Sequence, residues 1–129
     1  MESSRVNLPS APYLARSALT AFFRLAQAWR LDDNEAKALL GHPDQRTFEH
    51  WRHSALDAVS ADTLTRISYL LGIYRSLNTL FEQPTQADEW VRRPNSGSLF
   101  QGASALEFML SGDISALSRV REYLDHETA

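Results

Sequence analysis

The stretch from Glu89 to Gly112 most limits what this 129-residue chain can fold into. Pro94 disfavours the α conformation for the residue before it, so the helix that carries the tryptophan of this stretch must end there. After a loop rich in serine and glycine, Ser104 and Glu107 have the spacing of a capping box, in which each side chain satisfies a backbone N–H at a helix start. Gly112 is suited to the left-handed residue that closes such a helix. The stretch predicts a shaped surface rather than a catalytic pocket.

The rest of the chain shows apolar residues at helical spacing and no persistent strand alternation. The first helix is predicted from Tyr13, and its apolar face is formed by Leu14, Ala18, Phe22, Leu25, Ala26 and Trp29. Residues suited to the N-caps of later helices are Asp32 or Asp33, Asp44, Ser60, Thr85 and Asp113. The pattern from residue 61 to residue 81 leaves open one continuous helix or two helices bent at Gly72. We therefore predict an all-α fold.

The stretch from residue 89 onward resembles the toxin-binding domain of Xre/MbcA/ParS-type antitoxins. The resemblance is carried by Trp90 to Asn95, Phe100-Gln-Gly102, Ser104 to Met109, Gly112 and Tyr123-Leu-Asp125. Ala105 stands where the family usually has proline, so the first helical position loses a preset φ. We expect a small cost in stability at this position and the same fold.

Two short helices around Gly41, behind a longer helix, form the outline of a helix-turn-helix. Residues 35–41 and 46–52 resemble the second and third helices of the Xre type, with a turn that is one or two residues longer than usual. We expect residues 1–12 to be a mobile arm. An Xre-like helix-turn-helix and dimerisation domain is predicted at 13–82, and the toxin-binding domain at 83–129.

Composition narrows the class of protein. The chain has no cysteine and a net charge of −3, which argues against disulfides and against a protein that coats nucleic acid. Residues 1–82 hold nine basic and nine acidic side chains, whereas residues 83–129 hold four and seven. No apolar run is long enough to cross a membrane and no signal-peptide pattern is present, so we expect a cytoplasmic protein.

The second helix of the predicted helix-turn-helix supplies the DNA-binding candidates, which are Gln45, Arg46, Thr47, His50 and Arg52, with His53 beside them. Arginine can contact guanine and glutamine can contact adenine from such a helix. A solvated helix face would show the same residue types, and Glu49 would face phosphates unfavourably. His50 and His53 could reach one metal ion, but no third ligand is in register. With no phosphate loop or catalytic motif, we expect no metal, no cofactor and no enzyme.

We assign Trp90, Leu106 and Met109 to the core. The predicted toxin-binding residues are Arg92, Arg93, Phe100, Arg121, Tyr123, Asp125, His126, Glu127 and Ala129. Arginines and aromatic residues dominate interface hot spots. The last helix is predicted to end near Asp125, which leaves a polar end that faces outward.

The resemblance implies an antitoxin of a type II toxin–antitoxin system. Its partner would be a RES-type toxin that degrades NAD, or a related ADP-ribosyltransferase-like toxin, whose active site the antitoxin covers. The first domain would form a homodimer within a larger complex and bind the operator DNA of its own operon. Two alternatives stay open: a helix-turn-helix regulator without a toxin partner, and an adaptor that has lost DNA binding.

Overall fold

The computed structural model describes residues 11–53 and 59–128, with only the backbone for residues 11–13. These residues form seven helices, which confirms the all-α prediction: α1 Ala11–Ala28, α2 Asp33–Leu39, α3 Gln45–Arg52, α4 Ala61–Leu80, α5 Pro84–Trp90, α6 Ala105–Ser111 and α7 Ile114–Thr128. The β structure in this part of the chain is one isolated bridge between Pro94 and Ser104. None of the described helices is long and apolar enough to cross a bilayer.

Helix α1 begins at Ala11, so the last two residues of the predicted arm are helical, and the other ten lie outside the described residues. Phe22 and Trp29 are fully buried on its inner face, as predicted. Leu14 is different, because 49% of its surface is exposed. Its assignment to the core face is wrong, because near the start of α1 the described residues leave much of this side chain uncovered.

The helix-turn-helix is built from local capping. Asp32 and Glu35 form a capping box at the start of α2, and the Asp44 carboxylate accepts the backbone N–H of Thr47 at the start of α3. Between these helices Gly41 has φ +98°, a conformation that glycine adopts without strain. The turn predicted at this glycine is therefore confirmed.

Helix α4 is continuous through Gly72, which settles the alternative left open by the sequence. A glycine inside a helix costs about 1 kcal/mol relative to alanine. Here a Cβ would overlap with the guanidinium of Arg121, which lies across α4 at this point. Helix α4 packs against α1, α5 and α7, so one hydrophobic core runs through both halves of the chain.

One predicted cap and one predicted backbone conformation are wrong, although α6 ends at Ser111, just before Gly112, as predicted. Helix α5 begins at Pro84, and Thr85 does not cap it, because the fixed φ of proline suits the first helical position without a side-chain cap. Gly112 has φ −114° rather than a left-handed conformation. Glycine is favoured at this position for a steric reason, since a Cβ would lie 2.8 Å from the Cβ of Ala116.

Candidate functional site

The second helix of the helix-turn-helix, α3, presents one face to the core and one to solvent. Phe48 and Trp51 are buried, and the ring of Phe23 on α1 packs 5.7 Å from the Phe48 ring, centroid to centroid. Gln45 and Arg46 are exposed at the N-terminal end, the end that enters the major groove in helix-turn-helix proteins. The aromatic face anchors the helix, and its first turn is available to a partner.

Gln45 is held by its own protein. Its Oε1 accepts a hydrogen bond of 2.7 Å from Lys37 Nζ, and its Nε2 donates one of 2.8 Å to Glu49 Oε2. Glutamine reads adenine by using both ends of its amide at once. Base reading by Gln45 therefore requires both of these hydrogen bonds to break.

Arg52 connects α3 to α2. Its Nη2 lies 2.7 Å from Asp33 Oδ1, and its guanidinium lies 4.6 Å from the centroid of the Phe48 ring. A second carboxylate, that of Glu49, lies 3.7 Å from the same nitrogen. The charge of this predicted DNA-binding residue is thus balanced within the protein, at the C-terminal end of the helix.

Thr47 and Arg46 remain at the start of α3. The backbone N–H of Thr47 donates to Asp44 and is the main cause that lowers the pKa of that carboxyl below its ordinary value, with a smaller contribution from the charge of Arg46. His50, one turn further, is half-buried. Of the predicted DNA-binding residues, Arg46 is the cation that is exposed where the helix would meet a base.

The start of α2 is acidic. Asp32, Asp33 and Glu35 lie in or beside its first turn. In a helix-turn-helix the first helix crosses the phosphate backbone, where carboxylates are repelled. This feature opposes DNA binding at the same surface that offers Arg46.

The segment between α5 and α6 is ordered by its own backbone. Asn95 and the 102–103 segment exchange hydrogen bonds of 3.0 and 2.8 Å, and the Asn95 side chain accepts the N–H of Gly97 at 2.8 Å. Gly102 allows the tight return with φ +92°. At the far end, the predicted capping box of Ser104 and Glu107 is confirmed. The segment therefore presents a defined surface.

Phe100 lies at the centre of an aromatic cluster. Its ring packs edge-on against the rings of Trp90, Phe108 and Tyr123, with centroid distances of 5.9, 5.8 and 5.3 Å. Phe100 is 3% exposed, so this predicted toxin-binding residue lies inside the cluster and not on the surface, because the loop folds back and buries it. Trp90, predicted as core, is half-buried at the edge of the cluster with Tyr123. We call Trp90, Phe100, Phe108 and Tyr123 the aromatic cluster.

Arg92 joins the two halves of the chain. Its guanidinium donates to the carbonyl oxygens of Trp29 and Arg30 at 3.0 and 2.7 Å, and to Glu35 Oε1 at 3.1 Å. Arg30 has φ +55°, which ends α1 and turns these carbonyls toward the arginine. The residue was predicted to contact a partner, but the structure places its donors on the end of α1 and the capping box of α2.

The other predicted arginines lie in different surroundings. Arg93 is exposed and pairs with Glu89 at 3.2 Å on the outside of α5. Arg121 does not face outward as expected, because its guanidinium lies against Gly72 of α4 and its Nε is buried. The structure therefore does not bring the three predicted arginines together.

The C-terminal end is a helix rather than a loose polar tail. Helix α7 continues to Thr128, whose hydroxyl donates to the carbonyl oxygen of Leu124. Its last turn exposes three predicted toxin-binding residues, which are Asp125, His126 and Glu127. Ala129 lies outside the described residues. The apolar face of α7 (Leu117, Val120 and Leu124) is buried as predicted and fixes the direction of this turn.

Some of the residues that shape these surfaces carry no signal in the sequence. Glu35 serves both α2 and Arg92, and only the capping half of this role has a local pattern. Arg119 lies 5.5 Å from the ring centroid of Phe108 and covers the outer side of the aromatic cluster. The spacing of Arg119 and Phe108, on different helices, gave no indication of this contact.

Comparison with known proteins assigns each half of the chain to a domain family. A sequence model of the antitoxin Xre-like helix-turn-helix domain matches residues 14–72, and one of the antitoxin Xre/MbcA/ParS C-terminal toxin-binding domain matches residues 76–128. The uncharacterized protein y4oB of Sinorhizobium fredii is 45% identical over 107 residues, which cover 83% of this chain and 81% of that protein. The short gap between the two matches lies inside α4, the helix that packs on both halves. The chain therefore belongs to the Xre/MbcA/ParS antitoxin family, with an Xre-like helix-turn-helix followed by the family's toxin-binding domain, and is an antitoxin of a toxin–antitoxin system.

Proposed function

We propose that this antitoxin binds a cognate RES-type toxin and prevents it from degrading NAD by covering its active site. The observation that carries the proposal is the continuity of the aromatic cluster with the last turn of α7. Tyr123 and Glu127 are four residues apart on α7, so both lie on one face of the helix. A partner that packs on the edge of the aromatic cluster would therefore also contact the exposed acidic turn.

The charge of this turn supports the blocking role. An NAD-degrading site presents cationic groups to the pyrophosphate of its substrate, and Asp125 and Glu127 are exposed carboxylates that complement them. Such complementarity steers and orients the partner more than it adds affinity. The affinity is expected from Trp90 and Tyr123, because aromatic residues covered by a partner supply much of the binding energy of an interface.

The test is NAD consumption by the purified product of the neighbouring toxin gene, with the antitoxin added at matched concentrations. Glu127→Lys should weaken protection while the melting temperature stays unchanged, because the side chain is exposed. The matched control is Glu122→Lys, which makes the same charge change at an exposed position on a different face of α7. Equal protection by both variants would move the blocking surface away from the last turn.

We further propose that the helix-turn-helix acts as a homodimer on the operator of its own operon, with Arg46 as the base-reading residue. The exposed position of Arg46 in the first turn of α3 supports this role. Arg46→Ala should reduce specific operator affinity by about 1–3 kcal/mol. Fluorescence anisotropy on operator and scrambled DNA measures the loss, and Arg24→Ala, an exposed arginine of α1, is the control. A uniform loss on both sequences would show a phosphate contact instead.

A second candidate is an antitoxin that neutralises its toxin without binding an operator. It is favoured by the acidic start of α2 and by the internal pairing of Gln45 and Arg52. Toxin neutralisation together with equal, weak affinity for operator and scrambled DNA would support this candidate. Specific operator binding without any toxin binding would instead favour a plain helix-turn-helix regulator.

A further inference from the structure

A groove of about 330 Å³ lies between α1, α4 and α7, where the helix-turn-helix half meets the last helix. Leucines form much of its wall: Leu14 from α1 and Leu64 and Leu71 from α4. Leu14 is one of two large apolar side chains in the described part of the chain that are strongly exposed. An apolar wall of this kind gains free energy when a partner side chain covers it.

Two arginines line the same groove, Arg75 from α4 and Arg121 from α7. Arg75 is exposed, and among the described residues its guanidinium has no carboxylate partner. Arg121 has a buried Nε without a hydrogen-bond acceptor in the same part of the chain, since the nearest carboxylate oxygen, Asp125 Oδ1, lies 3.5 Å away. A buried N–H of a charged group that lacks an acceptor is unfavourable, so an added acceptor would stabilise it.

The position of Arg121 depends on Gly72. The guanidinium occupies the space where any other residue at position 72 would place its Cβ. The absence of a side chain at the middle of α4 therefore keeps a cation inside an apolar groove. Guanidinium groups bind carboxylates with two parallel hydrogen bonds, which the fixed orientation of Arg121 favours.

We propose that this groove binds a segment of the cognate toxin in which an apolar side chain stands next to a carboxylate. The apolar side chain would cover Leu14 and Leu71, and the carboxylate would accept from Arg121 and Arg75. The inference rests on the proposed function, because it assumes the toxin as partner. It adds a second toxin contact on the helix-turn-helix half, outside residues 76–128 except for Arg121.

Charge favours the toxin over a second copy of this chain. A two-fold dimer brings the same surface patch to itself, so four arginines would share one interface, and no carboxylate among the described residues that line the groove would balance them. Like charges brought together at an interface are unfavourable. A partner that supplies a carboxylate removes this repulsion and satisfies the buried Nε.

The test measures the dissociation constant between the purified toxin and the full-length antitoxin. Arg121→Gln should weaken binding by about 30-fold or more, as expected when one member of a charge pair that the complex would bury is removed. Arg75→Gln is exposed and should lower the association rate several-fold, with an effect that shrinks as salt is added. The control is Arg24→Gln, an exposed arginine of α1 outside the groove, which should bind like the wild type.

A double-mutant cycle separates this role from a general loss of folding. Gly72→Ala displaces the guanidinium without removing it, so it should weaken toxin binding in the wild type and have no further effect in Arg121→Gln. Melting temperatures show which variants are folded, and Arg75→Gln keeps the inference testable if the changes at Arg121 and Gly72 unfold the protein. Wild-type affinity in folded Arg75→Gln and Arg121→Gln would overturn the inference and leave the proposed function intact.

Cross-linking identifies the occupant. Because the chain has no cysteine, Leu14→Cys carries a single thiol at the groove, to which a photoactivated cross-linker can be attached. A product with the toxin supports the inference. A product between two antitoxin copies, or within one copy, in the presence of toxin would overturn it. If the wild-type protein does not bind the toxin at all, the proposed function and this inference fail together.

Discussion

The two candidate binding surfaces of this antitoxin differ in how their exposed groups are satisfied. On α2 and α3 the polar side chains bond to one another: Gln45 is held between Lys37 and Glu49, and Arg52 is paired with Asp33. The C-terminal surface instead carries half-buried aromatic rings, those of Trp90 and Tyr123, which pack on the buried ring of Phe100. A partner that covers an aromatic edge breaks no internal hydrogen bond, whereas a partner that reads Gln45 or Arg52 must break some.

This difference predicts which of the two partners binds more tightly. Desolvating paired polar groups offsets much of what new hydrogen bonds contribute, so the α3 surface suits an affinity that depends on salt and on two half-sites. Burial of aromatic surface has no such offset and suits a long-lived protein complex. The toxin contact is therefore expected to be the tighter of the two per copy of the chain.

The largest expected effect sharpens the comparison at the aromatic cluster. Phe100→Ala should destabilise the protein by about 3–5 kcal/mol, because it removes a buried aromatic ring that three others contact. Trp90→Ala, at the half-buried edge, should cost less stability and more toxin affinity. Urea unfolding and toxin binding give the two values for each variant. If both variants lose stability and toxin affinity in the same proportion, the distinction between Phe100 as a supporting ring and Trp90 as a contact ring is wrong.

The next effect concerns the joint between the surfaces. Arg92→Gln should lower the free energy of unfolding by about 2 kcal/mol, because hydrogen bonds from a charged donor to the end of α1 and to Glu35 are lost. Arg93→Gln, the next residue and an exposed one, is the matched control and should be within about 0.5 kcal/mol of the wild type. Urea unfolding measures both. If the two variants are equally stable, the halves are held together by the core of α4 alone.

Local chemistry decided what could be predicted from the sequence. The caps at Asp32, Asp44 and Ser104 were predicted because each cap and its partner lie within three residues. Burial of Phe100 depends on how the loop closes on α7, and the bonds of Arg92 reach 62 and 63 residues back along the chain. No local pattern carries such information. The predicted toxin-binding residues were therefore chosen by residue type. The structure places them in different settings: Phe100 supports the aromatic cluster, Arg92 joins the two halves, and residues 125–127 form an exposed turn.

The glycines also show which structural roles a local sequence pattern can predict and which it cannot. Gly41 sits at a turn with positive φ, which its position between two helices predicted. Gly72 and Gly112 are glycines because a neighbouring side chain takes the space, Arg121 in one case and Ala116 in the other. A conformational role leaves a local trace in the sequence, whereas a steric role depends on what packs there.

The smallest effect compares one carboxyl from each half of the chain by its pH dependence. Asp44, at the start of α3, has a pKa below its ordinary value of 3.8, mainly because the backbone N–H of Thr47 donates to the charged form. Asp88 on α5 has a pKa above 3.8, because burial disfavours its charge, and its Oδ1 has no hydrogen-bond partner among the described residues. At neutral pH the charge of Asp44 therefore stabilises the fold and the charge of Asp88 destabilises it.

Asp44→Ala should lower the melting temperature at pH 7, and Asp88→Asn should raise it. The two differences should disappear in different pH windows. The advantage of Asp88→Asn is lost as the pH falls through the raised pKa toward 3.8, because the native carboxyl becomes neutral by itself. The charge-dependent part of the Asp44 contribution persists to 3.8 and is lost only below it, as the pH falls through the lowered pKa. Thermal melts of both variants across this acidic range measure the order, and loss of the Asp44 difference at the higher pH would contradict the assignment.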